Sequence, residues 1–139
     1  ELQYGSLYIY DSKGKEIESK SYGGMLEMST QTSYNSKAKK IYTECFDVEG
    51  NLIELTRYVY DSRGNVIEEV YYDSKGNIKG SYKCAYDSKG NMIEEITTYG
   101  TKKRTTWVYD SKGNVIKEES YKDLDFLESV TLYEYEYLK

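Results

Sequence analysis

The 139-residue chain has no histidine, no proline and only two cysteines. Without an imidazole there is no Ser-His or Cys-His nucleophile pair and no imidazole zinc site. Without proline, no strand loses a backbone donor and no proline-rich hinge divides the chain. Two cysteines settle no redox compartment. No apolar run approaches the ~20 residues of a membrane span. Leu, Ile, Val and Phe together make up 27 residues, about 19%, a level bordering on disordered compositions. Net charge is −5 with both signs interspersed, which disfavours nucleic acid or an anionic membrane as a partner.

What the chain has instead is tyrosine. Its 18 tyrosines can each bury a large ring while the hydroxyl stays hydrated, so a thin, tyrosine-rich core is expected. They punctuate a repeat. Residues 60–69 read Tyr-Asp-Ser-Arg-Gly-Asn-Val-Ile-Glu-Glu, and near-identical decapeptides begin at Tyr86 and Tyr109. Shorter copies open at Tyr10 and Tyr72, with divergent ones at Phe46 and Tyr34. A repeat spacing near 25 residues leaves no room for a linker, so residues 1–139 are expected to form a single domain.

Each copy encodes a tight turn. Asp opens a type I turn because its carboxylate accepts from backbone N–H groups just ahead. Gly then takes the left-handed conformation of a bulge, where a Cβ would clash. The flanks alternate and are rich in aromatic and β-branched residues, which reads as strand. The expected fold is all-β: an antiparallel β-meander of about 11 strands built from tandem β-hairpin repeats. Such a sheet should twist to bury one face, as a curled open sheet or partial barrel, with a flat single-layer sheet second.

The turn geometry predicts cross-strand partners. If Asp61 pairs with Asn65, Tyr60 faces Val66, Val59 faces Ile67 and Arg57 faces Glu69. The same rule pairs Ala85 with Ile93, Lys83 with Glu95, Val108 with Ile116 and Ile9 with Ile17. One face then carries an aliphatic row and is expected to be buried. The other carries the row Tyr10, Tyr34, Tyr60, Tyr86 and Tyr109, and is expected to be wetter. Trp107 falls on the tyrosine side. Phe126 and Leu127, in a longer loop, are expected to plug one end of the core. The Gly23-Gly24 joint is the position where the two faces could exchange.

With its repeated Tyr-Asp-x-x-Gly-Asn and following aliphatic residue, the chain resembles the YD-repeat family, also called RHS repeats, over most of residues 8–120. The resemblance implies a bacterial secreted or cell-surface location and a structural or binding role. It also implies kinship with toxin shells in which hairpins spiral into a hollow β-cocoon.

Candidate sites are few. The Asp-Ser-Lys-Gly-Asn tips carry Lys13, Lys37, Arg63, Lys89 and Lys112, unlike a calcium loop, which supplies several oxygen ligands within about 12 residues. No metal or other cofactor is therefore expected. Glu68 and Glu94 sit at equivalent positions near cations and read as solvated cross-strand pairs rather than a catalytic dyad. No catalytic residue is assigned, and the expectation is a non-enzyme. The aromatic face is the candidate binding surface, with Tyr58, Tyr60, Tyr86, Trp107 and Tyr109 as its residues, because such rings offer contact area at low entropy cost. The expected function is a secreted or surface module binding a protein or glycan through that face or an exposed edge. The alternative is a structural fragment of a longer array such as a toxin shell. A start at Glu1 without Met or a signal sequence is read as a processed or excised fragment.

Two further expectations follow from strand parity. The first strand has few charged guards and should be covered by the C-terminal segment or another chain, and open edges allow edge-to-edge self-association. Cys45 and Cys84 fall on opposite faces and ~14 Å apart, beyond disulfide reach, with Cys84 the more accessible.

Overall fold

A computed structural model describes residues 5–22 and 28–136. The strands are β1 (Gly5–Tyr10), β2 (Glu16–Tyr22), β3 (Met28–Tyr34), β4 (Lys40–Phe46), β5 (Leu52–Tyr60) and β6 (Val66–Asp73). They continue as β7 (Ile78–Tyr86), β8 (Met92–Thr97), β9 (Lys103–Tyr109), β10 (Val115–Lys122) and β11 (Phe126–Leu132). They form one open antiparallel sheet in sequence order, not closed into a barrel. The described residues contain no helix. The chain divides into two compact units, residues 1–79 and 80–139. The Gly23-Gly24 joint lies outside the described residues.

The turns form as their chemistry dictates. At the β5–β6 tip the Asp61 N–H donates to Asn65 O (2.9 Å) and the Gly64 N–H to Asp61 O (3.1 Å). Oδ1 of Asp61 accepts from the N–H groups of Arg63 (2.9 Å) and Asn65 (2.8 Å), while Asn65 Nδ2 donates to Oδ2 at 2.9 Å. The arrangement recurs at Asp47, Asp73, Asp87 and Asp110. Gly14, Gly50, Gly64, Gly76, Gly90 and Gly113 all adopt φ between 77° and 93°, as the bulge requires. In the divergent copy Ala38 takes this place at φ 65°, a conformation that costs an L-residue energy. Asn35 replaces Asp there, and its Oδ1 accepts the same two backbone bonds, each 3.0 Å.

The facing differs from expectation one residue beyond the turn. Tyr60 does face Val66, but the register then shifts, so Val59 faces Glu68 and Arg57 faces Val70. Ala85 likewise faces Glu94, Lys83 faces Ile96, Val108 faces Lys117 and Ile9 faces Glu18. A second bulged residue explains this: Ile17, Ile67, Ile93 and Ile116 fill the extra position and have no partner directly opposite. The aliphatic row is thereby split and set among carboxylates, where Arg57 approaches Glu68 (3.7 Å) and Arg104 approaches Glu94 (3.6 Å).

The expected burial is reversed. Ile9, Ile17, Ile93, Ile116 and Val108 are 36–47% exposed. The buried positions on the tyrosine side are Thr56, Gly80, Cys84, Thr105 and Ser120, with Val70 the one on the other side among the described residues. Alternation of parity from Tyr60 places Tyr58, Thr56 and Glu54 on one face of β5, opposite Glu69, Tyr71 and Asp73. On β9 it places Tyr109, Trp107 and Thr105 together. Large rings flank small residues there and shield them, whereas the bulged aliphatics stand without such cover.

The last strand also departs from expectation. Lys122 pairs with Phe126, so β11 begins after a three-residue loop, Asp123–Asp125. Phe126 is 70% exposed and plugs nothing. β1 pairs with β2, and all its residues are exposed.

Two predictions follow from the turns. Gly64→Ala should cost on the order of 1 kcal/mol, while Ala38→Gly should gain about 0.5–1 kcal/mol, both read from denaturant midpoints. An unchanged Gly64→Ala midpoint would contradict the bulge. The second concerns acid. The carboxyls of Asp47, Asp61, Asp73 and Asp87 are held below the usual 3.8, first by the side-chain amide of the following Asn and then by backbone N–H groups. Asp11 is lowered chiefly by the Lys15 N–H. A lowered folded value stabilises above the unfolded value and is lost as pH falls through the folded one. Stability should therefore decline below about pH 4, and Asp61→Asn with Asp87→Asn should flatten that decline without unfolding the chain.

Candidate functional site

In the first unit, Tyr58 and Tyr60 project from β5 on the tyrosine face, both half-buried. Thr43 Oγ1 on β4 donates to the Tyr58 hydroxyl at 3.5 Å. Burial pushes the Tyr60 phenol up, with Tyr58 and Glu69 adding to it. Lys39 Nζ stands 5.6 Å over the Tyr60 ring and donates to Gly64 O (3.0 Å), a cation–π contact joined to a hydrogen bond. Lys15 does the same one hairpin earlier, 4.8 Å over Tyr34 and 2.7 Å from Ala38 O. These lysines occupy the turn position that is Asn in the other copies, so the two tips that lack this Asn are tied to their neighbours by side chains.

In the second unit, Tyr86 on β7 faces Met92, and the Tyr109 hydroxyl donates to Met92 O (2.6 Å). Trp107 Nε1 donates to Glu118 Oε2 at 3.2 Å, the same oxygen that accepts from the Tyr133 hydroxyl at 3.3 Å. Burial pushes the Tyr109 phenol up, with Asp87 adding to it. Thus Tyr86, Trp107 and Tyr109 share one face of their unit, as Tyr58 and Tyr60 do in theirs, and all five are half-buried.

Sequence reasoning missed a set of carboxylates on this face. Glu69, Glu95 and Glu118 each stand eight residues after a turn Asp, and each accepts from an aromatic donor. Tyr71 donates to Glu69 and Tyr82 to Glu95, both at 2.9 Å. Burial pushes both phenols up, assisted by Glu69 at Tyr71 and by Cys84 and Glu95 at Tyr82. They remain protonated donors near neutrality, and their carboxylates are engaged as acceptors. The repeated Ile-x-Glu carried the signal, Ile-Glu-Glu at residues 67–69 and 93–95 and Ile-Lys-Glu at 116–118, because the extra bulge at the Ile moves that Glu to the tyrosine face. Glu68 and Glu94 instead sit on the opposite face beside Arg57 and Arg104. No cluster of three or more metal-ligating side chains occurs among the described residues.

Both thiols are free, as expected. Their placement differs: Cys45 faces Glu54 and Cys84 faces Glu95, so each lies on the tyrosine face of its unit. The register shift between Cys45 and Phe46 accounts for the changed side. Cys84 is buried and Cys45 half-buried, the reverse of the expected accessibility. Burial, with Glu54 adding to it, pushes the Cys45 thiol up, so its alkylation should be slow near neutrality but should still precede that of Cys84. Timed alkylation with mass mapping checks this; labelling of Cys84 first would contradict the packing around it.

No protein-family profile matches the chain, and no curated protein matches it in sequence. Among solved structures, a chain of the Photorhabdus luminescens Tc holotoxin pore is similar at a TM-score of 0.62 and 17% identity, covering 91% of this chain and 8% of that one. Chains from the TcdB2-TccC3-Cdc42 and TcdB2-TccC3 structures match at 15% identity and TM-scores of 0.44, over 84% of this chain and 7% of theirs. This chain therefore spans less than a tenth of the toxin chains it matches. At these identities the likeness concerns the fold alone: the hairpin sheet described here is similar in fold to a short stretch of a Tc holotoxin chain.

Proposed function

We propose that the chain is a non-enzymatic structural segment of a longer array of the same hairpins, forming sheet wall rather than a reaction site. One observation carries the reading. A tyrosine hydroxyl at the tip end of a strand, or just beyond β11 in the case of Tyr135, donates to the carbonyl of the residue that opens the second strand of the preceding hairpin. It does so from Tyr34 to Glu16 (2.7 Å), Tyr109 to Met92 (2.6 Å) and Tyr135 to Val115 (2.9 Å). Each acceptor lies five residues after its turn Asp, so the repeat itself generates the link between hairpins and can propagate it.

The resemblance of the repeat to YD repeats and the fold likeness to a Tc holotoxin chain support this reading. On the same grounds we infer an extracellular or cell-surface location in a bacterium and assembly with other protein chains. Binding of a protein or glycan by the aromatic face has less support, because the Tyr109 hydroxyl and the Trp107 N–H already donate within the sheet.

Duplication of residues 61–86, a 26-residue unit running from one turn Asp to the next repeat Tyr, tests the array reading. Nearest-neighbour stabilisation predicts one cooperative transition, with its midpoint a few degrees above the parent's. A lower midpoint or a second transition would overturn the reading.

A further inference from the structure

The lateral tyrosine bond has one unfilled position. Tyr10 ends β1 as Tyr34 ends β3 and Tyr109 ends β9, yet it is 56% exposed and its hydroxyl has no hydrogen-bond partner among the described residues. Gly14, which corresponds to Ala38 and Gly64, receives no lysine among the described residues, whereas those two carbonyls accept from Lys15 and Lys39. Among the described residues, β1 has no neighbouring strand on the side away from β2. A donor, an acceptor and a strand edge thus stand open together, in the pattern filled elsewhere by a preceding hairpin.

We propose that the β1 edge is a receiving site for the second strand of another Asp-x-x-Gly hairpin of this repeat. The incoming strand is antiparallel to β1. Its register is set by the Tyr10 hydroxyl donating to the carbonyl five residues after the incoming turn Asp. Main-chain bonds along Gly5–Tyr10 supply the affinity and the tyrosine bond supplies the register. The inference rests on the array reading and adds to it which edge grows and in what alignment. A second folded copy does not fit, because neither of its terminal strands begins directly after an Asp-x-x-Gly turn: β1 precedes the Asp11 turn, and β11 follows the Asp123–Asp125 loop, which lacks the motif.

The test uses the full chain and a synthetic peptide of residues 61–73, a turn followed by the β6 sequence. Hydrogen exchange should show the peptide protecting β1 amides, and titration should show Tyr10→Phe binding it about tenfold more weakly. Tyr8→Phe, on the same face of the same strand, should bind as the parent does. A peptide of residues 28–34, the β3 strand with no Asp-x-x-Gly turn ahead of it, should leave β1 unprotected. Three results would overturn the proposal: no protection at saturating peptide, equal binding by Tyr10→Phe, or protection of β1 by concentration-dependent pairing of the chain with itself. Thermal melts establish that both variants fold, since each loses only an exposed hydroxyl. Failure here with a stabilising duplication would leave the array reading intact; the converse would leave the edge site standing without it.

Discussion

The structure depends on one carboxylate oxygen per turn. Oδ1 of each turn Asp accepts two backbone N–H groups, while a left-handed residue three positions on closes the hairpin. With so few aliphatic side chains, the chain cannot rely on a deep core to align its strands. Local turn chemistry does it instead, at both ends of the sheet: Asp47 and Asp73 make the same arrangement as Asp61 and Asp87. Asn35 shows that the amide oxygen is sufficient for the backbone bonds, so the charge adds acid sensitivity rather than geometry.

From the turn follows the allocation of side chains to faces. The additional bulge removes one aliphatic residue from pairing and moves the Glu two positions after it, Glu69, Glu95 or Glu118, to the tyrosine side. There the carboxylates meet phenol and indole donors and form a half-buried polar network. Small side chains at Thr56, Thr105 and Ser120 fill the gaps between rings and are buried despite their polarity. Stability in such a sheet is distributed, because each strand packs laterally on its sequence neighbours and no described side chain is completely enclosed. Lateral ties of different chemistry serve one purpose: tyrosine to carbonyl between hairpins, and lysine to the next tip where Asn is absent.

The amino-acid sequence by itself determined the all-β class, the strand count, the turn positions and the positive φ of the glycines. Each follows from local chemistry: an Asp carboxylate within reach of its own backbone, a Gly without Cβ, and alternation along a strand. The shared face of Trp107 and Tyr109 was legible for the same reason, since they stand two apart on one strand. Facing across strands was decided only by the tertiary structure. A single bulged residue at Ile67 or Ile93 inverts the partners of everything beyond it, and no residue type announces it in advance. That one shift exposed the aliphatic row, brought Glu69, Glu95 and Glu118 to the aromatic donors, and moved Cys45 to the tyrosine side. Local sequence sets what each turn can be, but the side a residue faces is a sum over every residue paired before it.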